Sequence, residues 1–320
     1  MTRCAAIDLG SLTVRLAVAE GTAAGFRIVL HRREITALGQ GLAPAGLLAP
    51  EAMARTQAAL EGFVRELAAW GVQTYRAVGT QALRQARNRE DFLEKLHQSL
   101  GLAVQVLSPE EEARLSLKGV LSALSPDLQK MLLMVDVGGG STEWALVRPE
   151  HSPQFASLPL GVLTLSQAQP VGDPPQPELV AALRAQLRSR LTEFYEQNFK
   201  PVLTVPFLLV GTAGAVTTLA AMHLKMVRYD AARINNLVLD RSQVAALAEL
   251  VVSLPEAQRA RLPGIEPAKA GVMVAGALLV QTIMEVTGQD RLVVIDAGLL
   301  EGVLSEICSE FSVSGFELTG

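Results

Sequence analysis

The chain has 320 residues, of which 49% are hydrophobic and 19% charged, with a formal net charge of −4. That composition excludes a disordered chain, the length accommodates two domains, and the acidic balance gives no general attraction for nucleic acid. Two cysteines, Cys4 and Cys308, stand near opposite ends without metal-ligand spacing, so a reducing, cytoplasmic setting is the default expectation.

Taken in order, residues 7–9 reach an aspartate and then a turn, Asp8-Leu9-Gly10-Ser11-Leu12-Thr13, before apolar residues resume at 14–19. Glycine permits the turn and the flanking apolar residues read as a hairpin. A third strand is expected at 26–30 and a loop over 38–50. Residues 51–70 have helix-forming composition, with Leu60, Phe63, Val64 and Leu67 on one face. A strand at 75–78 ends on Gly79-Thr80, a helix covers 91–100, and another strand covers 103–107. Ser108-Pro109-Glu110-Glu111 then reads as a helix start, with Ser108 as N-cap, Pro109 at the first helical position and Glu111 closing a capping box. This helix is expected to run toward Leu124 and to stop at Ser125-Pro126-Asp127, near the domain boundary.

The first hairpin motif now recurs as Val135-Asp136-Val137-Gly138-Gly139-Gly140-Ser141-Thr142. Each copy would set backbone N–H groups and hydroxyls beside a carboxylate, a combination that suits a phosphate and its accompanying cation. A proline-rich loop follows at 170–177. The 178–199 segment repeats Leu179, Leu183, Leu187, Leu191 and Tyr195 as an amphipathic helix. A buried strand at 207–210 meets Gly211-Thr212-Ala213-Gly214. Residues 270–280 are the most apolar stretch, too short for a bilayer and expected to be a buried helix in which Gly271 and Gly276 allow close packing. No targeting segment and no membrane anchor are expected, since Asp8 and Arg15 break the N-terminal apolar run. A last strand at 292–295 leads through Asp296-Ala297-Gly298 into a terminal helix. Strands alternating with helices predict an α/β protein with mixed sheets.

Four segments, in this order and spacing, resemble the exopolyphosphatase and guanosine pentaphosphate phosphohydrolase family. They are Asp8-Leu9-Gly10-Ser11, the stretch from Gly79-Thr80 through Arg84 to Ala86, Glu111-Glu112-Ala113-Arg114-Leu115, and Asp136 through Glu143. The resemblance runs over nearly the whole chain and matches a short form without the extra C-terminal helical region. It implies two actin-like ATPase-fold (ribonuclease H-like) domains, 1–124 and 125–302, with a C-terminal helix at about 303–320 packing back on the first. An active site in the interdomain cleft, Mg²⁺ as cofactor and a homodimer are implied with it.

The implied reaction is removal of a terminal phosphate from inorganic polyphosphate or from pppGpp. The match places the general base at Glu112, where it would take a proton from the attacking water. Arg84 is the expected guanidinium contact to phosphate. Gly10, Ser11, Thr13, Gly138, Gly139, Gly140, Ser141 and Thr142 are the expected phosphate-binding positions, and Asp8, Asp136 and Glu143 the expected carboxylates for metal or water. Gly211, Thr212 and Gly214 make the nucleotide-side loop. The four histidines, 31, 97, 151 and 223, show no ligand spacing.

Several positions depart from the family pattern. Leu12 stands for an asparagine, Ala213 and Ala215 for a glycine and a threonine, and Lys269-Ala270-Gly271 for Arg-Ala-Asp. Thr164 and Leu300 each take the place of an arginine. Two other readings therefore stay open: a weakened enzyme or pseudoenzyme that binds guanosine alarmones, and a small-molecule kinase of the same fold.

Overall fold

Both halves of the chain build the same sheet topology, which is the structural counterpart of the repeated hairpin motif. The computed structural model describes residues 3–22, 25–128, 131–203 and 205–314. The chain divides into a first unit, Met1–Ser122 with Gly298–Gly320, and a second unit, Ala123–Ala297.

In the first unit the strands are β1 (Arg3–Leu9), β2 (Thr13–Thr22), β3 (Gly25–Ile35), β4 (Thr74–Gly79) and β5 (Val104–Val106), in the order β3-β2-β1-β4-β5. The β1–β2 and β2–β3 pairs are antiparallel, whereas β4 and β5 add in parallel. Period-two alternation splits the core between the two faces of β1. Ala5, Ile7 and Leu9 join one cluster with Leu60, Phe63, Leu67, Phe92 and Leu96 from the helices Pro50–Ala69 and Arg89–Leu100. Cys4 and Ala6 join another, with Leu300, Val303, Leu304 and Ile307 from the helix Leu299–Ser314.

Two glycines let this last helix meet the helix Pro109–Ala123. A β-carbon on Gly302 would lie 1.9 Å from the Leu115 carbonyl oxygen, and one on Gly119 would lie 1.9 Å from that of Gly298. This contact explains why residues 298–302 belong to the first unit, earlier than the return expected at 303. The part of that expected helix beyond residue 314 lies outside the described residues. Elsewhere, the 38–50 loop contains a helical turn, Leu42–Ala45, and Val64 is only half-buried beside its three buried neighbours.

The second unit contains β6 (Leu132–Val137), β7 (Thr142–Val147), β8 (Gln154–Leu158), β9 (Leu208–Thr212), β10 (Leu237–Asp240) and β11 (Arg291–Val294), in the order β10-β11-β9-β6-β7-β8. Read from β8, this repeats the first sheet and adds the antiparallel edge strand β10. Trp144 of β7 is fully buried, with its ring stacked on Phe199 at 5.7 Å and tilted against Phe194 at 5.6 Å.

The helix Pro177–Asn198 corrects one detail of its expected face: Leu179 is 41% exposed and Val180 is buried. A four-residue spacing advances about 40° per step on a helix, so Leu179 falls outside the stripe from Leu183 to Tyr195, while Val180 falls in its middle. The helix Met273–Thr287 packs against this helix and against Arg241–Val252. With the preceding turn it spans Pro267–Thr287, which is long and apolar enough for a membrane span, contrary to the expected short segment. It is 78% buried within the molecule. Gly276 brings it close to the helix Ala213–His223, since a β-carbon there would meet that of Ala215 at 3.2 Å.

Candidate active site

The two copies of the hairpin carry opposite electrostatics. In the first, Asp8 faces Arg15 across the β1–β2 ladder. Arg15 reaches Asp8 Oδ2 with Nε at 2.8 Å and Nη2 at 2.6 Å, while the buried Oδ1 accepts no hydrogen bond. In the second, Asp136 faces Glu143 across β6–β7. These two carboxylates are 9% and 1% exposed, and Ser157 Oγ donates to Glu143 Oε1 at 2.8 Å. Like charges directly opposite on a sheet are destabilising, so this arrangement favours a cation nearby.

The glycine turn of the second hairpin is held from one side. The carbonyls of Gly138 and Gly139 accept from the N–H groups of Val162, at 3.0 Å, and Leu163, at 2.8 Å, in the helix Val162–Ala168. Thr164 Oγ1 lies 3.3 Å from the Gly140 carbonyl. In a trans peptide the C=O and the next N–H point in opposite directions. The N–H groups of Gly139, Gly140 and Ser141 are therefore all directed away from that helix, as an anion-binding turn requires. Gly161 permits the contact, because a β-carbon there would lie 2.4 Å from the Gly139 carbonyl carbon. Thr164, which replaces an arginine of the family pattern, caps its own helix: its hydroxyl accepts from the Gly161 N–H at 3.0 Å and lies 3.0 Å from the Gly161 carbonyl.

Some expected site residues, two from the phosphate turns and one from the nucleotide-side loop, have their hydroxyl hydrogens engaged elsewhere. Ser11 Oγ donates to Gln81 Oε1 at 3.0 Å and Thr142 Oγ1 to the Leu160 carbonyl at 2.6 Å. Thr212 Oγ1 donates to the Ala297 carbonyl at 2.9 Å. These three hydroxyls fix loops, and backbone amides remain the better phosphate donors. Ser141 is buried within the turn, and Thr13 begins β2, its carbonyl accepting from the Gly10 N–H at 3.0 Å.

Glu112 lies in the first turns of the helix Pro109–Ala123 and is 8% exposed. The capping box expected from the sequence is present: Ser108 N–H donates to Glu111 Oε2 at 2.7 Å, and Glu111 N–H to Ser108 Oγ at 3.2 Å. These hydrogen bonds, the backbone one foremost, hold the Glu111 carboxyl below its ordinary pKa. Arg84, from the short helix Gln81–Gln85, donates from Nη1 to Glu112 Oε2 at 2.5 Å and to the Leu107 carbonyl at 3.0 Å. The structure thus brings together Glu112 and Arg84, which stand 28 residues apart.

In the nucleotide-side loop, Ala213 adopts a left-handed φ of 69°, a conformation that suits the glycine of the family pattern. Lys269 is buried, with Nζ 3.4 Å from Glu266 Oε2 and 3.6 Å from where a β-carbon on Gly214 would sit. Gly211 closes against Val216 and Leu292. A β-carbon on Gly271 would sit 3.2 Å from the Glu256 carboxylate, the end of an exposed side chain. Leu300 is wholly buried in the apolar cluster beside β1, and Leu12 presents its carbonyl to the N–H groups of Thr36 and Ala37.

Sequence reasoning did not single out Arg15, Gln81 or Ser157 as partners of site residues. Only Arg15 had a signal available, because a hairpin register centred between Ser11 and Leu12 sets it opposite Asp8. Among the described residues, no three His, Cys, Asp or Glu side chains gather into a ready metal cage. Mg²⁺ needs none, since it is bound through one or two carboxylates plus substrate phosphates and water.

The chain is 34% identical to Exopolyphosphatase 2 of Mycobacterium tuberculosis, over 95% of this chain and 98% of that protein. The crystal structure of the Aquifex aeolicus Ppx/GppA family member is 31% identical, with a TM-score of 0.78, over 97% of this chain and 98% of that one. An exopolyphosphatase structure from Cytophaga hutchinsonii, 22% identical, shares the fold with a TM-score of 0.84 over 97% and 98% of the two chains. The Ppx/GppA phosphatase family pattern matches residues 17–311, and the chain belongs to that family.

Proposed function

We propose that the protein hydrolyses terminal phosphoanhydride bonds, releasing orthophosphate from inorganic polyphosphate, with pppGpp as a second substrate. The observation that carries this reading is the nearly buried Glu112, held at a capped helix start and hydrogen-bonded to Arg84. In the proposed cycle the terminal phosphate competes with Glu112 for the Arg84 guanidinium. Glu112 then accepts the proton of the attacking water, assistance that typically contributes about a hundredfold to ten-thousandfold. In the second unit the amides of Gly139, Gly140 and Ser141, turned away from the helix Val162–Ala168, are free in direction to receive phosphate oxygens.

The carboxylates fit Mg²⁺: Asp136 and Glu143 oppose each other across one ladder, and Asp8 retains an unpartnered oxygen. Asp136 and Glu143 would hold the ion in the second unit, and Asp8 Oδ1 is a separate carboxylate oxygen in the first unit open to a cation or water. When bound, the ion neutralises charge on the transferring phosphoryl group.

The test is orthophosphate release from long-chain polyphosphate and from pppGpp, with and without Mg²⁺, for wild type and Glu112→Ala. Metal-dependent release that the variant loses supports the proposal, and the faster substrate sets the preference. A folded wild type that releases nothing from either overturns it. A second reading, a protein that binds guanosine alarmones without efficient turnover, rests on the loop departures at Ala213 and Ala215. Tight pppGpp binding without phosphate release would select that reading.

A further inference from the structure

The two cysteines are 304 positions apart in sequence, yet their sulfurs lie 3.1 Å apart in the first unit. Cys4 sits in β1 on the face covered by the helix Leu299–Ser314, and Cys308 projects from that helix. We propose that Cys4 and Cys308 are a modification site: peroxide joins them in an intramolecular disulfide that staples the C-terminal helix to the N-terminal strand.

Three observations support the site. First, the helix is registered on the sheet without help from sulfur. Glu306, two residues before Cys308, accepts from Arg76 of β4 at 2.8 Å and from Arg114 at 2.6 Å. Leu304 and Ile307 are buried in the same cluster as Cys4. Second, a disulfide requires the sulfurs to close to about 2.05 Å, an approach of roughly 1 Å that side-chain rotation can supply. Third, the two thiols differ in access. Cys4 is 1% exposed, whereas Cys308 is half-buried and reachable from solvent. Burial, and then the adjoining Cys308, push the Cys4 thiol up to about 12, so Cys4 alone is a poor target for an oxidant.

The chemistry runs in two steps. The Cys308 sulfur attacks hydrogen peroxide, the O–O bond breaks, and a sulfenic acid forms as the first water leaves. The Cys4 sulfur then displaces the sulfenic hydroxyl, its own proton leaves with that hydroxyl as the second water, and the S–S bond forms. Two thiols lose two electrons and two protons, and one peroxide gains them. Proximity compensates for the low thiolate content of Cys4.

The test exposes the full chain to hydrogen peroxide, then reads intact mass, a non-reducing peptide map and the thermal midpoint. Wild type is expected to lose two hydrogens and yield a Cys4–Cys308 peptide. Its midpoint should rise by about 5 °C or more, because the bond closes nearly the whole chain into a loop. Dithiothreitol should reverse all three changes. Cys308→Ala, at the more exposed position, should fold normally and show none of them. A wild type that stops at a sulfenic or sulfinic acid on Cys308, keeps a Cys4 thiol after unfolding, or links two copies instead would overturn the proposal.

Discussion

Arg84 Nη1 bridges the Glu112 carboxylate, at 2.5 Å, and the Leu107 carbonyl, at 3.0 Å, so one guanidinium ties a motif near residue 80 to the helix that starts at Pro109. Both side chains are nearly buried, 14% and 11% exposed. Removing one partner of a buried pair costs about 3–5 kcal/mol, and the residual exposure places Arg84→Ala near the lower end. Phosphate release should fall at least about a hundredfold with it. Arg84→Lys should recover much of the stability and little of the activity, because an ammonium does not reproduce the planar fork. Urea denaturation alongside steady-state kinetics checks both statements; unchanged stability in Arg84→Ala would contradict the structural half.

Ser108 acts one turn before Glu112. Ser108→Ala removes the side-chain half of the capping box and is expected to cost about 1 kcal/mol. Activity should drop more than that loss of folded protein accounts for, since the helix start that aims Glu112 frays. Comparing kinetics at a temperature where the variant remains folded separates the two effects.

The glycines between the helices Pro109–Ala123 and Leu299–Ser314 make a sharper prediction. Alanine at Gly119 or Gly302 would put a carbon 1.9 Å from a backbone oxygen, and backbone cannot rotate aside as a side chain can. Each variant is expected to lose about 3 kcal/mol. Gly62, on the helix Pro50–Ala69, is the control: a β-carbon there meets only the end of Arg65, at 4.0 Å. Gly62→Ala should be neutral or gain up to about 1 kcal/mol. Equilibrium denaturation of the three variants decides the matter.

Glu306 predicts a pH dependence. Burial opposes its charged form, but hydrogen bonds from Arg114 and Arg76 prevail and hold its pKa below the ordinary 4.5. A depressed folded-state pKa contributes stability above the unfolded value that is lost as pH falls through the folded one. Glu306→Gln should therefore lower stability at pH 7, by about 1–3 kcal/mol for a charge-assisted pair. The gap to wild type should narrow as pH drops below about 4.5. A gap that stays constant between pH 7 and pH 3 would refute the assignment.

Local features were legible in the sequence because they depend on neighbours in the chain. The capping box at Ser108–Glu111, the two Asp-Gly hairpins and the stripe from Leu183 to Tyr195 each follow from backbone geometry over a few residues. Glu112 and Arg84 stood out only through the family resemblance that the order of the motifs carries. Leu179 was misplaced because a four-residue spacing alone does not say where a drifting stripe ends. The engaged hydroxyls of Ser11 and Thr142 were hidden for another reason: their acceptors, Gln81 and Leu160, lie 70 and 18 residues away.

By itself, then, the sequence determined the elements, the duplicated hairpin and the residue types suited to phosphate chemistry, all of them consequences of short-range periodicity and turn preference. Tertiary structure alone decided the partners. Ser11 meets Gln81 and Glu112 meets Arg84 because folding brings together segments 70 and 28 residues apart. The same long-range packing carried Cys308 to Cys4, and no local rule in the chain anticipates it.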